Sequence, residues 1–146
     1  MVYSVKVLKD GYSYEKDGQY KANGTCTLIL GPDPKELGMF CISVIHNTNR
    51  MTTGQRQTKM IVDTLSAWDK DILISALASE GLRPEDITHV VNTHGHPDHM
   101  GNNNLFTGPG VVHVMGHSIH TGDIYNTDID FKAGDSYCID GENLLV

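Results

Sequence analysis

The segment NTHGHPDHMGN, residues 92–102, gathers His94, His96, Asp98 and His99 into six consecutive positions. Imidazole nitrogens and carboxylate oxygens are zinc's usual non-thiolate ligands, and the same mixture accepts iron or manganese. Side chains two apart in an extended segment point to one side, so His94 and His96 can converge on a single ion. Gly95 lets the backbone pass close to that ion. Pro97 pushes His96 toward extended geometry and suits the first position of a helix, which sets Asp98 and His99 in a first turn aimed back at the same cleft. Two histidines for one ion, with an aspartate and a histidine for a second, make half of a two-metal hydrolytic site. A metal pair lowers the pKa of bound water to roughly 7 and holds the hydroxide against an electrophile. The bland alternative, a solvated polar loop, fits less well because the loop leaves an apolar strand, HVVNT (89–93).

Positioning these side chains is the task of the flanking elements. MIVDT (60–64) reads as a short buried strand ending at Asp63, and GVVHVM (110–115) and SYCI (136–139) as later strands, with NLLV (143–146) starting another. Between MIVDT and HVVNT lies the best helix. Ser66 and Asp69 make an S-x-x-D start, Ile72, Leu73, Ala76 and Leu77 form an apolar stripe, and Gly81 stops it. Pro84 opens a short turn, PEDI. Upstream, YSVKVL (3–8) alternates like a strand, QYKANGTCTLIL (19–30) reads as a hairpin turning at Asn23-Gly24, and GPDP (31–34) breaks it before a strand-like FCISVI (40–45). Strand, helix, strand order around the cluster argues for an α/β layered domain with ligand loops at the ends of buried strands.

At 146 residues the chain is one domain. Its net charge of −7 disfavours a broad, sequence-independent grip on nucleic acid, although bound divalent metals can make one cleft locally positive. Cys26, Cys41 and Cys138 are odd in number and outside any CxxC pair, so they read as buried thiols in a reducing compartment. The N-terminus lacks a signal-peptide pattern and no run of eighteen apolar residues occurs, so a cytoplasmic protein without a membrane span is expected. Among the remaining histidines, His46 and His89 read as structural, and His113 as packed in its strand. His117 and His120 are spaced for one helical face, and with His113 and Asp123 they are the local candidates to complete a metal site. Gly108-Pro109-Gly110 is a loop, and residues 123–135 resemble an EF-hand loop only superficially.

THGHPDHMGN (93–102) resembles the H-x-H-x-D-H signature of the metallo-β-lactamase superfamily, and MIVDT resembles the aspartate-ended strand that precedes it there. The resemblance implies an αββα sandwich, of which residues 1–146 would form the N-terminal half to two-thirds as one partial domain, with an insertion-like segment at about 35–59. It implies that His94 and His96 bind a first zinc, that Asp98 and His99 bind a second, that Asp98 also orients the attacking hydroxide as the catalytic carboxylate, and that Asp63 braces the ligand loop. TLILGP (27–32), the Trp68 helix, VVNTHGHPDHMGNNNLF (90–106) and GVVHVMGHS (110–118) are similar to a small animal member linked to endoribonuclease action on RNA. The implied function is therefore a zinc-dependent endoribonuclease of the cytoplasm, with the nucleus as a second compartment. Alternatives are a thioester or lactam hydrolase acting on a small ester or amide, or an inactive, partner-binding fragment that pairs as a homodimer. Two departures stand out. Leu65 occupies the place where the family usually has glycine after the VDT, and the family's further ligands are expected beyond Val146.

Overall fold

The computed structural model describes residues 3–31, 57–116 and 118–126, with the backbone of Ser136–Ile139 and Glu142–Leu145. FCISVI, His46, Cys41, His117 and most of the 35–59 segment lie outside the described residues. Eleven strands are described: β1 (Ser4–Lys9), β2 (Tyr12–Lys16), β3 (Gln19–Asn23), β4 (Cys26–Leu30), β5 (Lys59–Val62), β6 (His89–Asn92), β7 (Val112–Met115), β8 (Ser118–Thr121), β9 (Ile124–Asn126), β10 (Ser136–Ile139) and β11 (Glu142–Leu145). Two α-helices join them, α1 (Lys70–Ser79) and α2 (Pro97–Met100).

Seven strands form one sheet in the order β1-β4-β5-β6-β7-β8-β9. Its centre, β5, β6 and β7, is parallel, and both flanks are antiparallel. Parallel neighbours need a crossover, and α1 supplies the one from β5 to β6. One sheet face therefore lies under α1, where Leu28, Ile61 and Val90 share a core with Leu73, Leu77, Ile87 and Phe106. Lys6 on β1 reaches across to pair with Glu80 at the end of this helix. The opposite face carries a smaller cluster of Val114 and Ile119, with Val91 and Val112 packed against it.

Inside α1 the buried pair is Leu73 and Leu77, one turn apart, whereas Ile72 is 46% exposed. The expected stripe holds at Leu73, Ala76 and Leu77, with Ala76 half-buried, and fails only at Ile72; a 3-10 turn at Ala67–Asp69 precedes the α-helix. Ser66 donates to the Asp69 carboxylate at 2.5 Å and makes no side-chain bond to the helix backbone. Gly81 ends the helix with φ +72°, while the N–H of Leu82 bonds the carbonyl of Leu77 at 3.0 Å, a Schellman closure. Pro84–Asp86 is a single 3-10 turn.

The hairpin expected at Asn23-Gly24 is elsewhere. Strands β2 and β3 pair around Asp17-Gly18, both left-handed with φ 55° and 70°, the geometry a two-residue primed turn demands. CTLIL cannot fold back on β3 because Cys26 and Leu28 are wholly buried and their strand is needed between β1 and β5. The β2–β3 ribbon, polar or tyrosine-bearing on both faces, stands off as an exposed flap. Asn23-Gly24 serves instead as a close-approach point against the ligand loop.

The described part of HSIH is also not helical: Ser118–Thr121 is β8, with His120 directly opposite His113 on β7. Its polar and apolar residues alternate, and Ile119 is buried beside Val114. Among the described residues no helix is long and apolar enough to cross a membrane.

Candidate metal centre

The ligand loop leaves β6 at its C-terminal end, flanked by β5, which Asp63 directly follows. The Asp63 carboxylate, almost wholly buried, organises the loop. Its Oδ1 accepts the Thr93 N–H at 2.8 Å. Its Oδ2 accepts the Thr93 hydroxyl at 2.8 Å and His99 Nδ1 at 2.8 Å. These contacts settle protons as well as positions. A carboxylate only accepts, so His99 carries its proton on Nδ1 and presents a free lone pair on Nε2. Thr93, having donated its proton to Asp63, can only accept from His94 Nδ1, 3.1 Å away, which leaves the His94 Nε2 lone pair free. One buried carboxylate thereby aims both imidazoles.

His94 Nε2 stands 3.0 Å from His96 Nδ1. Two nitrogens bound to one tetrahedral zinc lie roughly 3.3 Å apart, so this pair has close to the spacing of two donors on one ion. His99 Nε2 stands 3.6 Å from Asp98 Oδ2, a second pair at similar spacing. The His94 ring is packed against both others, with centroids 4.5 Å from His96 and 4.0 Å from His99. The structure thus brings all four sequence-predicted ligands together. Among the described residues, however, no group of three or more His, Cys, Asp or Glu side chains is placed to hold one metal ion. The donor set is two plus two.

Backbone contacts hold this loop against the turn after β5. Pro97 opens α2 as expected, with His96 extended just before it. The His99 carbonyl accepts from the Thr64 N–H at 2.7 Å and from Asn92 Nδ2 at 2.8 Å. Asn102 Nδ2 bonds the carbonyls of Thr64 and Ser66, each at 2.7 Å. Gly101 touches that turn so closely that an added Cβ would sit 2.3 Å from Ala67 N. Gly24 does the same from the other side, where a Cβ would lie 2.6 Å from the Asp98 carbonyl and 3.0 Å from His99 Nδ1. The turn itself is strained: Asp63 and Leu65 hold φ of 58° and 60° without being glycine. Leu65 adopts the left-handed backbone a glycine takes freely, and its side chain is completely buried in the core.

Among the described residues the local substitutes, His113, His120 and Asp123, do not join this centre. His113 is in register with Val90, several residues before the ligand loop, and its Nε2 donates to the Phe106 carbonyl at 2.8 Å. Burial first, then the neighbouring His120, holds its imidazole below the usual range, outweighing the opposing bond to Phe106. His120 stacks between His113 and Tyr125 and bonds the Gly122 carbonyl through Nδ1 at 3.0 Å. Asp123 lies in the β8–β9 turn. Cys26 is an inert thiol: burial, helped by the Asp63 charge, pushes it up to about 12.

An open cleft of about 780 Å³ runs beside the ligands, bounded by the β2–β3 flap on one side and by His96, Pro97, Asp98 and His99 on the other. It continues into a second space of about 500 Å³ that reaches Tyr20 and Trp68. The role of the flap, the Thr93 relay and the contact at Gly24 were not read from the sequence. Each depends on which distant segment lands beside the loop, and only an unusual glycine after Asn23 hinted at one of them.

The sequence is similar to known proteins. The model of the metallo-β-lactamase superfamily matches residues 53–134. Metallo-β-lactamase domain-containing protein 1 of Xenopus laevis is 33% identical over 140 residues, covering 95% of this chain and 48% of that protein. The Homo sapiens protein of the same name is 36% identical over 126 residues, covering 79% and 44%. This chain spans about half the length of the curated relatives it matches. A solved subclass B3 metallo-β-lactamase of Bradyrhizobium japonicum is 17% identical, covering 96% of this chain and 49% of that one, with a TM-score of 0.48. The family model covers more than half of the chain, far more than the histidine loop, and this chain belongs to the metallo-β-lactamase superfamily.

Proposed function

We propose that this chain carries the ligand loop of a divalent-metal hydrolase acting on RNA phosphodiester bonds. The observation that carries the hydrolase reading is the two facing donor pairs, His94 with His96 and Asp98 with His99, one imidazole of each being oriented by Asp63 directly or through Thr93. Zinc suits this nitrogen and carboxylate set, and iron or manganese also fits. When bound, such ions supply Lewis acidity toward the scissile group and acidify water to a pKa of roughly 7. The chain's own residues orient and brace. Asp98, one quarter exposed at the mouth of the cleft, is placed to accept a hydrogen bond from an attacking water. Asp63 and Thr93 keep the imidazoles in the tautomers a metal needs. A net charge of −7 gives no broad basic surface, which points to a short stretch of substrate gripped at the cleft.

One observation favours a second reading, a chain that holds metal weakly and turns nothing over. Among the described residues each pair offers only two donors, where a catalytic zinc normally has three protein ligands. Metal analysis of the purified chain separates the two, combined with cleavage of a fluorescent single-stranded RNA. The hydrolase reading expects about two metal ions per chain and cleavage that His96→Ala abolishes. Cleavage that survives His96→Ala, or survives chelation, overturns it. Substoichiometric metal lost to mild chelation, with no cleavage, establishes the second reading.

A further inference from the structure

Three exposed aromatic rings line this cleft, Tyr12, Tyr20 and Trp68, and the last two are the most exposed. Trp68 is 94% exposed and Tyr20 is 73% exposed, yet both line the space that also contains Pro97 and Asp98. Single exposed aromatics are ordinary; two from separate elements lining one space beside the ligand loop are not scattered. Their settings are fixed by other groups. The Tyr20 hydroxyl is hydrogen-bonded to Ser13 across the flap. Trp68 sits in the Ala67–Asp69 turn, and the Asp69 carboxylate ties that turn to the flap by accepting Asn23 Nδ2 at 2.7 Å and Ser66 Oγ at 2.5 Å. The side-chain clip through Asp69 therefore sets the distance between the walls.

Among the described residues neither Lys nor Arg lines the cleft. In the metal-free chain none of these residues offers a phosphate a positive charge, so affinity there is sought in a surface that needs no charge. A nucleobase offers a planar face, and stacking on exposed aromatic side chains is how unpaired bases are held. Duplex bases, already stacked, cannot enter. We infer that Tyr20 and Trp68 form a clamp for one unpaired base of single-stranded RNA, which places the adjoining phosphodiester toward Asp98 and the histidines. This inference deepens the proposed reading of the same cleft and rests on it, since RNA is the substrate there proposed.

Trp68 is the only tryptophan of the chain, so its fluorescence reports this wall alone. The test titrates metal-stripped chain with a uridine hexamer and with a short RNA duplex. Single strands are expected to quench the emission and the duplex to leave it unchanged. Tyr20→Ala is expected to weaken single-strand binding by about tenfold, within the range for loss of one stacked base, while Tyr20→Phe stays within about twofold. Raising salt from about 50 to 200 mM is expected not to weaken binding, in contrast to phosphate-driven complexes. Both residues are exposed, and unchanged circular dichroism shows that each variant folds. Absence of quenching, equal quenching by duplex, equal affinity in Tyr20→Ala, or a steep loss with salt each overturns the clamp. RNA cleavage that persists in Tyr20→Ala with unaltered binding sinks the clamp and leaves the hydrolase reading standing; quenching without cleavage does the reverse.

Discussion

Asp63 does more for the ligand loop than any ligand does. It is the acceptor for Thr93 and His99 together, so replacing it with asparagine keeps the shape and removes an acceptor. Asp63→Asn is expected to weaken zinc binding by about 10–100-fold with little change in fold, read by competition with a chromophoric chelator. Leu65 poses a contest between two effects. Its left-handed backbone costs roughly 1–2 kcal/mol, which glycine relieves, but its buried side chain is worth about 2–5 kcal/mol. Packing wins that comparison, so Leu65→Gly is expected to destabilise the chain by on the order of 2 kcal/mol in urea unfolding. A more stable glycine variant would show that strain dominates. The four ligand types and their spacing were legible in sequence because they are contiguous. The brace was legible only by resemblance, since its partner is 30 residues away.

Elements meet at two glycines. At Gly101 the chain after α2 presses on the backbone of the turn before α1, and at Gly24 the end of the flap presses on the Asp98 carbonyl and the His99 ring. Gly101→Ala is expected to cost about 1–3 kcal/mol of stability because a backbone atom cannot yield as a side chain can. Gly24→Ala is expected to lower zinc affinity more than stability, since what it displaces is a ligand. Equal losses in both properties would count against the flap contact as a positioning device. Element types were largely readable: the strands around the loop, the α1 crossover and the Gly81 stop all follow from pattern. The pairing of the flap was not. Asp17-Gly18 and Asn23-Gly24 are both turn dipeptides, and burial of Cys26 and Leu28 decides between them.

For the whole molecule, pH acts through His89, which bonds Thr88 at 2.9 Å and keeps only part of its side chain exposed. Burial pushes its pKa down to about 4, against about 6.5 in the unfolded chain. Below about pH 6.5 the unfolded chain therefore takes up a proton that the folded chain refuses, and stability falls until the folded pKa is passed. The loss is on the order of 2–3 kcal/mol, seen as a lower urea midpoint at pH 4 than at pH 7, and a His89→Leu variant should lose less over the same range. Metal acts in the opposite direction. Zinc at about 100 times its Kd stabilises by roughly 2.7 kcal/mol, so chelation is expected to lower the Tm by about 5–10 °C. No change on chelation would mean that the two donor pairs do not hold metal in this chain.

The sequence by itself determined which atoms could bind a metal, because H-x-H-x-D-H places its donors within one strand exit and one helical turn, and local geometry is enough to orient them. It also determined the α/β class, through the strand, helix, strand order. Tertiary structure alone decided the tautomers of His94 and His99, the left-handed seat of Leu65, the place of the hairpin and the walls of the cleft. Each of those is set by segments far apart in the chain, whose meeting depends on which apolar side chains the sheet can bury.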